Sequence, residues 1–292
     1  MRRASRMMAT LVALLSIMVM SMASAFAATS TIDWSDSVVR VAGYGVAPAN
    51  ARTPSLARLM ARRAAIADGY RQMAESVAGV SVDADTTVEM AAVSNDVVRT
   101  HVSAVVNGAR IVSERVVGDS YEVIMEVPMF GVRSIAGAVM SRPDRIEAFP
   151  SPVVSVSPSP VLTTGSAESS KGSSAASAPA GRAIGGFTGL IVDCRGLNLK
   201  PVMSPAIYND NGQPIYGYKN LDYDKVIENG MAGYAKNLEQ ARRAGFNPLV
   251  VKAVSLEKHN SCPVLTTADA NRVLIENGAS HFLDKTNVVF LR

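Results

Sequence analysis

The chain is poor in the residues that build metal sites and disulfide frameworks. Its 292 residues include only two cysteines and three histidines. Two cysteines in a chain of this length do not make a disulfide framework. The histidines His101, His259 and His281 lie far apart in the sequence and lack the spacing of zinc ligands. We therefore expect no cofactor and no metal centre.

Sequence signatures of common enzyme classes are also missing. The chain contains no G-x-S-x-G, H-E-x-x-H or G-x-x-x-x-G-K-[ST] segment. The segment Gly43-Tyr44-Gly45 lacks the third glycine and the strand–turn–helix context of a dinucleotide-binding loop. A Ser–His–Asp arrangement needs only proximity in space, so a hydrolase stays as an alternative. The composition favours a protein that is not an enzyme.

Long apolar runs are confined to the N-terminus. Residues 1–27 combine three early arginines, an apolar run over residues 11–20 and an Ala-Phe-Ala segment at residues 25–27, which predicts a secretory signal peptide. The alternative is a retained anchor, but the run is short for a bilayer span. No cysteine near the cleavage site offers a point for lipid attachment. We expect a periplasmic or secreted protein without a stable transmembrane anchor.

Cleavage of the signal peptide changes the charge balance. The whole chain carries 29 basic and 25 acidic residues. Removal of the three arginines before residue 27 leaves 26 basic residues and a net charge of +1. A mature protein so close to neutrality gives no support to nucleic-acid binding.

Residues 56–80 form the strongest helical pattern. Asp68, Arg71 and Glu75 lie three and four residues apart, close enough for surface ion pairs, and Gly79 is placed to end the helix in a left-handed conformation. The residues at the three-and-four spacing of one helical face are Leu56, Leu59, Met60, Ala64, Ala67, Tyr70, Met73, Ala74 and Val77. We interpret this stripe as the core-facing side of the helix.

The pattern around this helix predicts a small α+β domain over residues 37–142, with the amphipathic helix packed on an antiparallel sheet. Gly118-Asp119 is a favoured hairpin turn. The other predicted elements are strands over residues 38–47, 108–117 and 120–130, a strand or extended arm over residues 80–90, and helices over residues 95–106 and 132–140.

Residues 143–186 differ from the rest of the chain in composition. They are rich in proline, serine, alanine and glycine and contain few large apolar residues. Such a segment buries too little apolar surface to offset its chain entropy. We expect a disordered linker.

Residues 187–292 are predicted to form a second, α/β domain. Asn211-Gly212 is a hairpin turn that would pair Ile207 with Tyr216 and Tyr208 with Ile215. The other predicted elements are strands over residues 188–197, 249–256 and 288–291, and helices over residues 222–228, 237–244 and 266–276.

Two groups of residues in this domain are candidates for a binding groove. Asp193 and Arg195 share one face of a strand and either pair with each other or point into a groove. Tyrosines cluster after residue 207, among them Tyr208, Tyr216 and Tyr218, and tyrosine rings either pack across strands or stack on sugar rings.

The two cysteines lie in this same second domain. In an exported protein, Cys194 and Cys262 either form a disulfide or stay as two separate thiols. We place Cys194 within a strand and Cys262 in a loop. The sequence leaves both alternatives open.

Two segments carry a family resemblance. ARRAAIADGYRQMAESVAGV, with the pattern A-A-x-x-D-x-Y-R-x-x-A-E, is followed by GARIVSERVVGDSYEVIMEVPMFG. Together they resemble the twenty-kilodalton bacterial lipoprotein (LPP) family and the related N-terminal domain of the flagellar H-ring assembly protein FlgT, over residues 38–140. Many members are lipid-anchored through an N-terminal cysteine, which this chain lacks.

The resemblance implies an envelope location and a structural or assembly role, flagellar or surface-associated, exerted through contacts with an envelope or flagellar-type protein. It implies no catalytic residues. The alternative is a module that binds peptidoglycan or another glycan through the tyrosine-rich hairpin of the C-terminal domain. No nucleic-acid partner is expected.

Overall fold

The N-terminal domain is built on a four-stranded antiparallel sheet with strand order β1-β2-β4-β3. The computed structural model describes residues 30–152 and 181–292. The four strands are β1 (Thr31–Asp33), β2 (Val38–Val46), β3 (Arg110–Val117) and β4 (Ser120–Pro128), and the helices are α1 (Pro54–Ala78), α2 (Val88–Ser94), α3 (Asp96–Asn107) and α4 (Ile135–Val139). The predicted helix over residues 56–80 and the hairpin at Gly118-Asp119 are confirmed.

Helix α1 packs on β2 through small residues, and two strand glycines make the close approach possible. A Cβ atom added to Gly43 would lie 2.5 Å from the backbone nitrogen of Gly69, and one added to Gly45 would lie 2.8 Å from the carbonyl carbon of Ala64. Both distances are shorter than any real contact. The Gly-Tyr-Gly segment therefore serves helix–sheet packing.

The face of α1 that this packing buries is not the predicted one. The buried residues of the helix are Ala61, Ala65, Gly69, Gln72, Met73 and Val77. Met73 and Val77 were placed correctly, but the predicted positions Leu56, Leu59 and Met60 are exposed. The prediction was wrong because the glycines of β2 let α1 approach closely, and only small side chains fit between the helix and the strand. The larger side chains in the first half of α1 therefore point away from the sheet.

The segment that follows α1 differs from its prediction. Gly79 ends the helix with φ −79°, so it is not left-handed. The predicted strand over residues 80–90 is reduced to one bridge between Ser81 and Thr87, because Thr87 caps α2 and the helix begins at Val88.

The face of the sheet opposite α1 carries ion pairs. The carboxylate of Glu122 accepts hydrogen bonds from Arg115 and from the Tyr44 hydroxyl group. The guanidinium of Arg115 lowers the pKa of Glu122 against the opposing effect of burial. On the same face Arg40 pairs with Glu126. This face therefore has its charges matched.

The C-terminal domain contains a four-stranded parallel sheet of order β8-β12-β5-β9 and a smaller mixed sheet of order β10-β11-β6-β7. Its strands are β5 (Gly189–Asp193), β6 (Ile207–Asn209), β7 (Pro214–Tyr216), β8 (Gly233–Ala235), β9 (Pro248–Lys252), β10 (Ser255–Glu257), β11 (Cys262–Leu265) and β12 (Val288–Leu291), and its helices are α5 (Tyr223–Asn229) and α6 (Thr267–Ser280). Asp222 and Thr266, the first residues of two predicted helices, are the N-caps of α5 and α6.

Three details of this domain correct the predictions. The predicted helix over residues 237–244 is two short 3-10 turns, Leu238–Gln240 and Arg242–Ala244. Ile207 pairs with Tyr216 as expected, but the register then shifts. In consequence Tyr208 lies opposite Pro214 rather than Ile215, because the β6–β7 connection is longer than a two-residue turn.

Part of the predicted linker is ordered on the C-terminal domain. Within residues 143–152, the Glu147 amide donates to the carbonyl oxygen of Lys219 at 2.8 Å, and Phe149 stacks parallel to Tyr216 with ring centroids 6.3 Å apart. On the other side of the linker, the Ile184 and Gly185 amides donate to the carboxylate of Glu276. The rest of the linker, residues 153–180, and the predicted signal peptide lie outside the described residues.

The two domains are in direct contact. The amides of Met203 and Ser204 donate to the carbonyl oxygens of Ser81 and Val82 at 3.0 and 2.8 Å. Trp34 packs edge-on against Tyr234 and a single cluster of buried apolar residues runs through both domains. The C-terminal domain therefore lies at the end of the N-terminal domain where α1 finishes.

Candidate functional site

The main candidate for a binding site is a groove on the outer side of the N-terminal domain, between α1, α2 and α3. It has a volume of about 500 Å³. Alanines of α1 and α2 and valines of α2 and α3 line it, and the most deeply buried of these residues are Val88 and Val106. The lining residues are Tyr70, Arg71, Ala74, Ala78, Val88, Glu89, Ala92, Val93, Arg99, Val102, Ser103, Val106 and Asn107.

Two helix caps hold α2 and α3 in place around this groove. The Thr87 hydroxyl group accepts from the Met90 amide, and the side-chain oxygen Oδ1 of Asn95 accepts from the Val97 and Val98 amides. Because Asn95 ends α2 and starts α3, the chain turns sharply there. The turn brings the apolar sides of both short helices to face α1.

One apolar side chain of the groove lining extends into solvent: Val93, which is 76% exposed. Met90 and Val97 are also exposed, at 55% and 61%, but they lie outside the lining. A single exposed apolar side chain is ordinary, but one at the edge of an apolar groove marks a candidate interaction site.

The charges at the rim of the groove are unevenly paired. Arg71 bridges Asp68 and Glu75 at 2.8 and 2.7 Å, and Arg99 pairs with Asp96 at 2.6 Å. Glu89 makes no ion pair among the described residues. The rim therefore offers one carboxylate for a cation of a bound partner.

The charged candidates of the C-terminal domain pair with each other. The guanidinium of Arg195 donates to both carboxylate oxygens of Asp193, at 2.9 and 2.7 Å. This pairing lowers the pKa of Asp193 and raises the pKa of Arg195. The structural alternative that the sequence left open is the one observed, so these residues do not form a free groove.

The tyrosine candidates serve packing. Tyr216 is fully buried and its hydroxyl group donates to the Met231 carbonyl oxygen at 2.6 Å. Tyr218 is half-buried and donates to the Ser141 carbonyl oxygen. Burial raises the pKa of Tyr218 to about 12. Tyr208 is also half-buried. Because sugar stacking needs an open ring face, the prediction of a tyrosine glycan platform was wrong for Tyr216 and gains no geometric support at the other two.

The two cysteines are free thiols, and both are buried. Burial raises the pKa of Cys194 to about 12, which keeps it protonated and unreactive. Cys262 lies in strand β11 rather than in the predicted loop. In this structure no disulfide joins them.

The histidines lie at separate surface positions. His259 approaches Asp85 at 3.3 Å and His281 approaches Asp284 at 3.6 Å. Within residues 30–152 and 181–292, no group of three or more potential metal-binding side chains occurs.

The sequence analysis missed the groove because it assigned the outward residues of α1 to the core. The signal that could have found it is Thr87 followed by Asn95, two N-cap residues eight positions apart that predict two short helices in succession. We read that stretch as a strand and one helix.

The fold defines a two-domain α+β protein. Residues 33–128 match the model of the LPP20 lipoprotein family, which confirms the LPP resemblance for the N-terminal domain. Residues 189–292 match the model of the second domain of Treponema pallidum Tp0624. No curated protein matches the chain.

Each match covers about a third of the chain, and together they indicate an envelope-associated protein. Across the described ranges, 30–152 and 181–292, none of the helices has the length and apolarity needed to cross a bilayer.

Proposed function

We propose that the protein is a non-enzymatic assembly protein of the bacterial envelope, which binds a partner protein through the groove between α1, α2 and α3. The observation that carries the proposal is the apolar lining of this groove, which includes the exposed side chain of Val93. The LPP match supports an envelope location. The assembly role, flagellar or surface-associated, is the one implied by the sequence resemblance of residues 38–140 to the FlgT N-terminal domain.

The shape and chemistry of the groove favour an amphipathic helix as its occupant. Three helices wall the groove, and the small side chains of Ala74, Ala78 and Ala92 in its lining leave room for the side chains of a fourth helix. Helix-in-groove binding places apolar anchors in such a site. The unpaired carboxylate of Glu89 at the rim favours a partner helix with a lysine or arginine beside its apolar face.

The test is site-specific photocrosslinking in cells that export the protein. A photoreactive amino acid at Val93 is expected to give a discrete adduct with another envelope protein. The matched control is Phe246 of the C-terminal domain, which is exposed and apolar but lies outside the groove. An Ala92→Arg substitution, which fills the groove, should abolish the Val93 adduct.

Two results would contradict the proposal. One is the absence of an adduct at Val93 when the protein is exported and folded. The other is the same pattern of adducts at Val93 and Phe246, since that would show contact without selectivity for the groove.

A further inference from the structure

A second exposed apolar surface lies at the far end of the N-terminal domain and differs from the groove in charge. We call it the basic end. It consists of apolar side chains at the end of β2, in the first turns of α1 and near the β3–β4 turn, with arginines between them. Its members are Val46, Arg52, Leu56, Arg58, Leu59, Met60, Arg63 and Val116.

Three contacts bring these residues to one end of the domain. Val46 pairs with Ser120 in the sheet, and Ser120 also pairs with Val117 beside the hairpin turn. The close approach of Gly45 to Ala64 fixes the start of α1 next to the same strand end. Exposed side chains of the strand, the hairpin and the helix therefore share this end.

Within α1 three apolar residues and one arginine share the outer face, and Arg58 is exposed on another side of the helix. Leu56, Leu59 and Met60 follow the helical spacing of zero, three and four residues, and Arg63 is the next residue at that spacing. Leu59 is 46% exposed, and the other two are exposed to a similar degree. This arrangement is typical of a helix that lies at a membrane interface, where arginine side chains reach the headgroups and apolar side chains enter the acyl region.

The charge of this end has one sign. Residues 46–67 contain four arginines and no acidic residue. Arg62 pairs with Glu114 at 2.7 Å. Arg52, Arg58 and Arg63 make no ion pair among the described residues. One acidic residue, Asp119, lies nearby in the hairpin turn. The three arginines outnumber it, so this end carries a net positive charge.

The position of the basic end suits contact with a large flat surface. Helix α1 has 25 residues and is about 37 Å long. The C-terminal domain contacts the segment just beyond the C-terminal end of this helix, through Ser81 and Val82. The basic end is therefore a helix length away from the second domain, which does not obstruct it.

From the exposed arginines and apolar side chains, we propose that the basic end binds the surface of an anionic phospholipid membrane. The guanidinium groups donate to lipid phosphates, and Leu56, Leu59 and Met60 enter the boundary between headgroups and acyl chains. This goes beyond the proposed function, because it concerns a lipid surface and a different part of the domain. It does not depend on an occupant of the groove.

The test is vesicle co-sedimentation of the mature chain, residues 28–292. Vesicles of phosphatidylethanolamine and phosphatidylglycerol are expected to bind the protein, whereas vesicles of phosphatidylcholine alone are not. Raising the NaCl concentration from about 0.1 M to about 0.5 M should weaken binding, since salt screens exposed charges.

Paired variants assign the binding to this surface. Arg58→Glu with Arg63→Glu should lower the partition coefficient by about twentyfold or more. Leu59→Gln should lower it by about fivefold. The matched controls are Arg133→Glu with Arg145→Glu, which change the net charge equally, and Val132→Gln at a fully exposed position. All these residues are exposed, and circular dichroism checks that each variant folds.

Three results would overturn the proposal. The first is no binding to the anionic vesicles. The second is equal loss of binding in the control variants. The third is a photocrosslink from Leu59 to a protein in cells, without vesicle binding by the purified chain, since it would assign the surface to an acidic protein partner.

Discussion

The two domains are of similar length, but they differ in how many large apolar side chains they leave exposed. Eleven large apolar side chains are exposed within residues 30–142 and only four within residues 187–292. The C-terminal domain encloses its sheets and buries even Tyr216 and Tyr234 with their hydroxyl groups hydrogen-bonded. The N-terminal domain covers one sheet face with α1 and leaves the outer face of that helix open. This difference is why both proposed interaction surfaces, the groove and the basic end, are placed on the N-terminal domain.

The largest expected effect concerns the inner face of α1. Gly43→Ala places a methyl group against the helix backbone and is expected to lower the free energy of unfolding by about 3 kcal/mol. Gly79→Ala, at an open position with ordinary φ, is the control and should be neutral within about 0.5 kcal/mol. Urea denaturation measures both. Equal stability of the two variants would mean that the close helix–strand contact does not exist.

The next effect tests the enclosed character of the C-terminal domain. The Tyr234 hydroxyl group accepts from the Val202 amide at 3.0 Å and donates to its carbonyl oxygen at 2.8 Å. Tyr234→Phe leaves both groups buried and unpaired, so the free energy of unfolding should fall by about 2 kcal/mol. Tyr208→Phe, at a half-buried ring, is the control. A fall no larger than that of the control would show that the Tyr234 environment admits water.

A smaller effect concerns the ion pairs on the open face of the N-terminal sheet. Because the folded-state pKa of Glu122 lies below its ordinary value, its contribution to stability is present above the unfolded-state pKa and is lost as pH falls through the folded-state pKa. The free energy of unfolding of the wild type should therefore fall between about pH 6 and pH 3 by about 1.5 kcal/mol more than that of Glu122→Gln. Glu89→Gln is the control carboxylate. Parallel pH profiles for wild type and Glu122→Gln would contradict this role.

The smallest effect on stability belongs to the groove itself. Val93→Gln should change the free energy of unfolding by less than about 0.5 kcal/mol, because the side chain is already exposed. Binding of a hydrophobic dye should nevertheless decrease. Val88→Ala, at a fully buried position in the same helix, should cost about 2 kcal/mol. A large loss of stability in Val93→Gln would show that the Val93 side chain is packed in the core and does not line an open groove.

The sequence predicted those elements whose signals are local. Gly118-Asp119 gave the hairpin, Thr266 and Asp222 gave two helix starts, and the spacing of α1 gave its length. Each of these depends on residues within a few positions, so side-chain chemistry alone decides them.

The buried face of α1 could not be obtained in this way. Alanines occur all around the helix, so two faces compete, and the choice is made by Gly43 and Gly45 on a strand that precedes the helix. Hydrophobic periodicity favoured the face with leucines, whereas close packing on glycine requires the face with Ala61, Ala65 and Gly69. The candidate groove depends on this choice, which explains why it was missed.

The most direct test of the central claim is the accessibility of Val93 in the envelope. Cys194 and Cys262 are both buried, so labelling would report on the cysteine introduced at Val93 or at Phe246. A membrane-permeant maleimide is applied to exporting cells and to the purified protein. We predict that Val93→Cys reacts readily in the purified protein and is protected in cells, while Phe246→Cys reacts in both. Equal labelling of Val93→Cys in both settings would contradict the account, because the groove would then have no partner in the cell.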